Sequence, residues 1–425
     1  MSSLVGEGKL DPTSVEIRVF TLNCWGLRLI SSDRKERFEA IGHYLSRGDH
    51  DIVFLQEVWN QSDYDAVKEA IQDAFPHSHF FDNGVIGTGT CVFTRVQIHD
   101  ATLHEFAMNG YPHKITHGDW FGGKGLGVCH IFYKGYDVHL YTSHYHAEYN
   151  RAHDIYLGHR VSHALESAQW IKLTSSSADL TIYAGDFNTE PTDVPYRLLR
   201  AVAALSDSWL EANGTETSGW TSEIPSNSYT TPRALRECPN GKRIDYIMYR
   251  SGPNVLAAPV STILPLPSRI PNRNFSYSDH EAVCTTLRLQ RTENSFLRAS
   301  EFRRHLSMEC RIDCVKAVKD AIGITEVSQR KVSEVQVIYA IVAAVLLSLF
   351  VGSFFPIFIV DYEYHAYLDV GLFLPRFFIS IALVFFFLMA TVFTKKEMNA
   401  LRSTKASLRL IMDQDLSNNG NNMIS

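Results

Sequence analysis

Residues 17–26 read IRVFTLNCWG. Ile17, Val19, Phe20 and Leu22 make a short apolar strand, and the chain then breaks abruptly into Asn23, Cys24, Trp25 and Gly26. The same design recurs. LQEVW at 55–59 closes the apolar run Ile52–Leu55, TSHYHAEYN at 142–150 follows Val138–Thr142, and AGDFN at 184–188 closes Leu180–Ala184. SDHE at 278–281 stands just before the run Ala282–Leu289, and RIDY at 243–246 sets an acid inside the apolar strand Ile244–Tyr249. Thr90–Phe93 and Gly127–Phe132 read as further strands. Helices are expected over Asp33–Arg47, near Asp63–Ala74 and over Ala152–Leu173, the first opened by an Asp33-x-x-Glu36 start signal. Strands that do not strictly alternate with helices predict an α+β fold of two packed sheets with helices outside. Ends of adjacent strands meet on one rim, so the polar groups would converge there.

Singly, each group has a plainer reading. Asn23, Asp186 and Asn188 suit turns, Glu57 suits a helix cap, and Asp279–His280 suits a satisfied loop pair. Asp245 is harder to explain away, because a buried carboxylate costs several kcal/mol unless paired. Together the groups suit hydrolysis of a phosphodiester. A hard cation such as Mg²⁺, with Mn²⁺ as a substitute, takes oxygen ligands and would use Glu57 and Asn23. Histidine can take a proton from the attacking water near neutral pH, and His280 is the candidate. Asp245 would orient it. Asp186 and Asn188 would position the water and the phosphoryl oxygens, and His144 would donate to a phosphate oxygen or the leaving group.

The chain has 425 residues, with 40 Lys and Arg against 46 Asp and Glu, a net charge of −6. It has no basic excess to neutralise nucleic-acid phosphates, so no nucleic-acid partner is expected. The seven cysteines form no CxxC pair, which removes zinc-finger spacing and predicts reduced thiols. The opening MSSLVGEGKL has no apolar core of a cleavable signal.

The composition shifts late. Val337–Val360 carries no charge and as a helix reaches roughly 36 Å, enough to cross a ~30 Å hydrocarbon layer with some tilt. Leu372–Thr394 carries one charge, Arg376, expected to snorkel to the interface. Arg330 and Lys331 precede the pair, and Lys395, Lys396, Arg402, Lys405 and Arg409 follow it. The connecting loop, 361–371, carries Asp361, Glu363 and Asp369 and no Lys or Arg. This predicts a hairpin with both termini cytosolic. The short second span favours a thinner intracellular membrane such as the endoplasmic reticulum. The expected organisation is a catalytic domain over 1–290, a juxtamembrane linker over 291–335, a transmembrane hairpin over 336–394 (spans 337–360 and 372–394) and a cytosolic tail over 395–425. The end of that tail, from Asp413, reads as disordered.

The ordered set LNCWG, LQEVW, TSHYHAEYN, AGDFN, RIDY and SDH resembles the deoxyribonuclease-I-like endonuclease/exonuclease/phosphatase superfamily. HAEYNRAHDIYLGHRVSHALESAQWI and GKRIDYIMY, followed by two membrane spans, are similar to the animal neutral sphingomyelinases of the two-helix membrane type. The resemblance implies a four-layer αββα sandwich and Mg²⁺-dependent cleavage of sphingomyelin to ceramide and phosphocholine. It implies Glu57 as metal ligand with Asn23 nearby, Asp186 and Asn188 around the scissile phosphate, His280 as base oriented by Asp245, His144 on the phosphate, and Asp279 near metal or phosphate. A membrane anchor fits such a substrate, since tethering raises its effective concentration. The same chemistry on lysophosphocholine lipids or inositol phosphates, and a silent membrane scaffold, are the alternatives. The Gly-rich run 122–127 reads as a turn entering a strand, or as a rim loop whose Lys124 meets anionic phospholipid or the substrate phosphate. Tyr145 reads as a core aromatic, or as a face for a choline cation.

Overall fold

A computed structural model of the chain describes residues 14–28, 30–214, 218–292 and 308–421. The chain divides into two units, Met1–Val318 and Lys319–Ser425. In the first, the order is β1 (Val15–Asn23), α1 (Arg34–Ser46), β2 (Ile52–Gln56), α2 (Gln61–Ile71), β3 (His77–Phe81), β4 (Thr90–Thr94), β5 (Ile98–Glu105), β6 (Gly125–Tyr133) and β7 (Tyr136–His144). There follow α3 (Leu157–Thr174), β8 (Leu180–Asp186), α4 (Val194–Ala203), β9 (Ser206–Asp207), α5 (Ser208–Asn213), α6 (Pro232–Glu237), β10 (Asp245–Ser251), β11 (Val255–Ile263) and β12 (Val283–Arg291).

These strands form two six-stranded sheets, ordered β11-β12-β1-β2-β4-β3 and β5-β6-β7-β8-β10-β9. Alternation along the strands sends one set of side chains between the sheets. Ile17, Val19, Ile52 and Phe54 from the first meet Ile131, Val138, Leu140, Ile182 and Ile247 from the second. The opposite face of the first sheet, with Phe20, Leu22, Val53 and Leu55, is covered by Phe38, Ile41 and Leu45 of α1 and Val67 and Ile71 of α2. Helix α3 lies on the outer face of the second sheet. Tyr141 of β7 hydrogen-bonds Thr174 (2.6 Å) and the Tyr183 hydroxyl of β8 lies 3.2 Å from Ser167 Oγ. The result is the four-layer αββα sandwich.

Strand direction sets where polar groups gather. β1 runs parallel to β2, and β7 parallel to β8. Their carboxyl ends, Asn23 with Gln56 and His144 with Asp186, therefore lie at one end of each sheet. β10 and β12 run antiparallel to these neighbours, so they bring their first residues to that same end. Arg37, fully buried, ties the rim together from below. Its guanidinium donates to the carbonyls of Cys24 (2.6 Å), Trp25 (2.7 Å) and Tyr277 (3.3 Å), joining the exit of β1 to the approach to β12.

Some local expectations need correction. Asp33 precedes α1 but caps nothing with its side chain; it sits in the left-handed region and accepts from the Tyr229 hydroxyl (2.9 Å) instead. Helix α3 begins at Leu157 rather than Ala152, after a single 3-10 turn at Arg151–His153. β5 and β11 had no apolar alternation to announce them. Both are edge strands with much solvent exposure, and β11 carries Pro259 at a register shift, where a missing N–H is tolerated.

Helix α7 (Met308–Gly352) carries the chain into the second unit, which continues through α8 (His365–Leu388), a π turn (Met389–Phe393) and α9 (Thr394–Asn421). Two segments here, Asp313–Phe358 and Tyr362–Gln414, are long and apolar enough to cross a membrane. Only 6% and 17% of their most apolar windows are buried, unlike the core helices of a water-soluble domain. They pair as a hairpin: the Gln336 amide donates to the Ala390 carbonyl (2.8 Å), and Glu326 pairs with Lys405 (2.8 Å). Arg376 sits at the loop end, where it donates to the Ser353 carbonyl (2.8 Å) and pairs with Asp369 (3.1 Å). The tail expected to be disordered from Asp413 is helical to Asn421, because a helix already nucleated upstream extends at little further cost.

Candidate active site

Asn23 stands at the centre of the rim. Its amide nitrogen donates to Glu57 Oε1 (3.0 Å) and to Asp186 Oδ2 (2.9 Å), and so links the two sheets. Its amide oxygen accepts from the Trp25 N–H (2.9 Å). Asn23 thus clasps two carboxylates, presenting N–H groups to them. Glu57, half-buried, also accepts from Trp59 Nε1 (3.4 Å). His144 Nε2 lies 3.5 Å from Asp186 Oδ2 and 3.9 Å from Glu57 Oε1. Burial first, then Lys124, hold His144 well below the ordinary histidine range, so its imidazole is neutral.

Opposite, His280 Nδ1 is 2.8 Å from Asp245 Oδ2, which leaves Nε2 facing the rim, 4.0 Å from Asp186 Oδ2. Asp245 is held in place by its backbone N–H, which donates to Thr221 Oγ1 (3.2 Å). Burial alone would lower His280; the carboxylates of Asp245, Asp186 and Asp279 reverse this and raise it well above the ordinary value. The same crowding acts on the acids. Burial and then Asp245 push Asp186 up to about 7, and burial pushes Asp279 up to about 6. Asn188 donates its backbone N–H to Asp186 Oδ1 (2.9 Å) and its amide to the Tyr145 carbonyl (3.1 Å). Ser278 Oγ donates to the Asn23 carbonyl (2.6 Å), fixing the SDH turn against the exit of β1.

The loops that carry these groups are strained together. Trp25, Glu57 and Asn188 all have positive φ (47°, 57° and 46°), a region that costs non-glycine residues of order 1–3 kcal/mol and clusters at working sites. Gly26 permits the approach: a Cβ there would stand 2.1 Å from the Glu57 carbonyl oxygen. Beside His280 and Asp279 opens a cleft of about 280 Å³, walled by Asn188, Glu148, Tyr229 and Lys242.

The donor set fits a divalent cation. Glu57 and Asp186 bring carboxylate oxygens to one Asn23 amide, and Asp186 also lies within 4.8 Å of the Asp245 and His280 pair. Carboxylates this crowded, with Asp186 raised, are what a bound cation would relieve. Asp245 Oδ1 and His144 Nδ1 are buried without a hydrogen-bond partner among the described residues.

The Endonuclease/Exonuclease/phosphatase family matches residues 20–280. The chain belongs to this endonuclease/exonuclease/phosphatase family. It is 43% identical over 279 residues to a Drosophila melanogaster protein provisionally named neutral sphingomyelinase, a match covering 66% of this chain and 62% of that one. It is 38% identical over 279 residues to human sphingomyelin phosphodiesterase 2, covering 64% of this chain and 65% of that one. The matches thus span less than two thirds of these relatives' own length. Among solved structures, D. rerio TDP2 with a single-strand DNA product superposes with a TM-score of 0.51 at 20% identity, covering 64% of this chain and 98% of that one. That likeness speaks to the deoxyribonuclease-I-like fold alone.

Within the family fold, the structure brings eight sequence-predicted residues to one rim: Asn23, Glu57, His144, Asp186, Asn188, Asp245, Asp279 and His280. Two others are corrections. Lys124 is 1% exposed, paired with Asp119 (2.6 Å) and donating to the Tyr145 carbonyl (2.7 Å), so it meets neither headgroups nor a substrate phosphate. Although burial acts against it, Lys124 with His146 holds Asp119 below the usual carboxylate range. Tyr145 is fully buried, its hydroxyl accepting from that of Tyr183 (2.8 Å), and offers no face to a choline. The run 122–127 is no mobile rim loop, since Gly123 packs directly on Gly84. Arg37, Trp59, Thr221 and Ser278 are the supports that sequence reasoning missed. Ser278 and Trp59 lie inside quoted motifs, while nothing in the sequence marked Arg37 or Thr221.

Proposed function

We propose that this chain is a Mg²⁺-dependent phosphodiesterase of phospholipase C type that hydrolyses sphingomyelin to ceramide and phosphocholine at a membrane surface. The observation that carries the proposal is the His280–Asp245 pair standing across Asp186 from the Asn23–Glu57 clasp. A cation bound among these carboxylates would offset the pull by which they raise His280, and neutral His280 Nε2 then takes the proton from the attacking water while Asp245 fixes the tautomer and stabilises the imidazolium. Asp186 and Asn188 place that water and the phosphoryl oxygens, Asp279 lines the cleft, and neutral His144 donates to a phosphate oxygen or to the ceramide oxygen that departs as its bond to phosphorus breaks. Mg²⁺, when bound, is held by Glu57 with Asn23 beside it and acts as a Lewis acid on the phosphate. The cleft suits a headgroup rather than a whole lipid, so the acyl chains stay in the bilayer. The names of the Drosophila and human relatives support the choice of sphingomyelin.

The test is phosphocholine release by the purified full chain in mixed micelles, with and without Mg²⁺. Sphingomyelin should be cleaved fastest and only with the cation present. Preference for a lysophosphocholine or inositol headgroup would overturn the substrate, and no turnover of any lipid would leave a scaffold.

The hairpin is proposed to anchor the domain in an intracellular membrane, the endoplasmic reticulum being favoured, with both termini cytosolic. Accordingly, a tag after Ser425 should be digested by protease added to the cytosolic face of sealed vesicles. Protection of the tag there would reverse the orientation.

A further inference from the structure

A second group of ligating side chains lies far from the rim, on the outward face of the second sheet. His130 of β6 and His139 of β7 are direct cross-strand partners, their rings 5.0 Å apart. Asp137, two residues before His139, shares its face by strand alternation. Both imidazoles aim Nε2 at one oxygen: Asp137 Oδ1 is 2.9 Å from His130 and 3.5 Å from His139. All three ligand atoms fall within 4.8 Å of one another, and all three side chains are partly open to solvent.

We propose that His130, His139 and Asp137 form a binding site for a zinc-class divalent cation that clamps the β6–β7 hairpin, separate from the catalytic centre. Two imidazole nitrogens and one carboxylate oxygen are a borderline donor set, which selects Zn²⁺, Co²⁺ or Ni²⁺ over Mg²⁺ or Ca²⁺. Three protein ligands leave a fourth position for water. The surroundings also fit. Asp100 Oδ2 stands 3.5 Å from His130 Nδ1, the ring nitrogen turned away from the site, as a carboxylate does behind a metal-bound histidine. A register shift between Ile98 and Asp100 places that acid opposite His130. The Asp137 N–H donates to Asp179 Oδ2 (3.1 Å), pinning the backbone of the acidic ligand. Separation from the rim follows from strand geometry. Asp137 precedes His144 by seven residues on one strand, about 23 Å at ~3.3 Å per residue. One ion cannot serve both places.

The test uses the full chain in detergent, stripped of metal and then saturated with Mg²⁺ to occupy the rim. Titration with Co²⁺ should produce the visible absorption of a low-coordinate cobalt site, at one equivalent, displaced by Zn²⁺. The double variant His130→Gln/His139→Gln should lose that absorption and keep Mg²⁺-dependent turnover and its circular dichroism spectrum. Asp100→Asn, which leaves all three ligands in place, should weaken Co²⁺ binding by about tenfold or more. Identical Co²⁺ titrations of the wild-type chain and the double variant would overturn the proposal, as would no cobalt absorption in the wild type.

Discussion

His280→Ala is expected to lower phosphodiester turnover by at least ~10²-fold, the scale on which a positioned general base contributes. The reasoning is geometric before it is electrostatic. With Nδ1 engaged by Asp245 at 2.8 Å, only Nε2 is left to take a proton, and it faces the rim. Alanine removes that acceptor and leaves Asp245 as a buried carboxylate without its imidazole partner, which is destabilising. Some stability is therefore lost too, so thermal unfolding must be measured beside the rate. His280→Gln, which keeps a polar group against Asp245, separates the effects: it should fold like the wild type and turn over as slowly as the alanine variant. Near-wild-type turnover in either variant would remove His280 from the chemistry.

Glu57→Gln should shift Mg²⁺ activation to higher concentration and lower the maximal rate by about 10²-fold. The Lewis acid contributes several kcal/mol to such reactions, at about 1.4 kcal/mol per tenfold in rate. The change is close to isosteric. An amide oxygen can still accept from Asn23, so the clasp between the sheets survives while the charge that attracts the cation is gone. The measurement is turnover against Mg²⁺ concentration at fixed lipid. An unchanged titration would take Glu57 out of the metal site and leave it as a partner of Asn23 and Trp59 only.

Much of the rim was legible because its residues follow a rule of strands. Asn23, Glu57, His144 and Asp186 sit where apolar runs stop, and Asp245 and Asp279–His280 sit where such runs start. Parallel and antiparallel pairing then converts stops and starts into neighbours. The misreadings follow from the same limits. Lys124 looked like a free cation because its partner Asp119, five residues earlier, is brought to it only by the 3-10 turn at Asp119–Gly122 and the close fit of Gly123 on Gly84. Tyr145 lies between two histidines of a polar motif, yet points into the core. Edge strands β5 and β11 escaped notice because a strand bonded on one side need not bury a continuous apolar face.

Taken alone, the order of residues determined the sequence of strands and helices, the polar groups that close each strand, and two apolar spans with basic flanks, one charge-free and one charged only at Arg376. Those are local properties, fixed by periodicity and by the cost of burying charge. Which carboxylate lies against which imidazole, that Asn23 turns N–H groups toward Glu57 and Asp186, that Lys124 is interior, and that three side chains of β6 and β7 converge on one oxygen were decided only by folding. Such contacts join residues far apart in the chain, 163 positions between Asn23 and Asp186 and 255 between Asn23 and Ser278. Sheet register and burial create them, and neither is written in any short stretch of the chain.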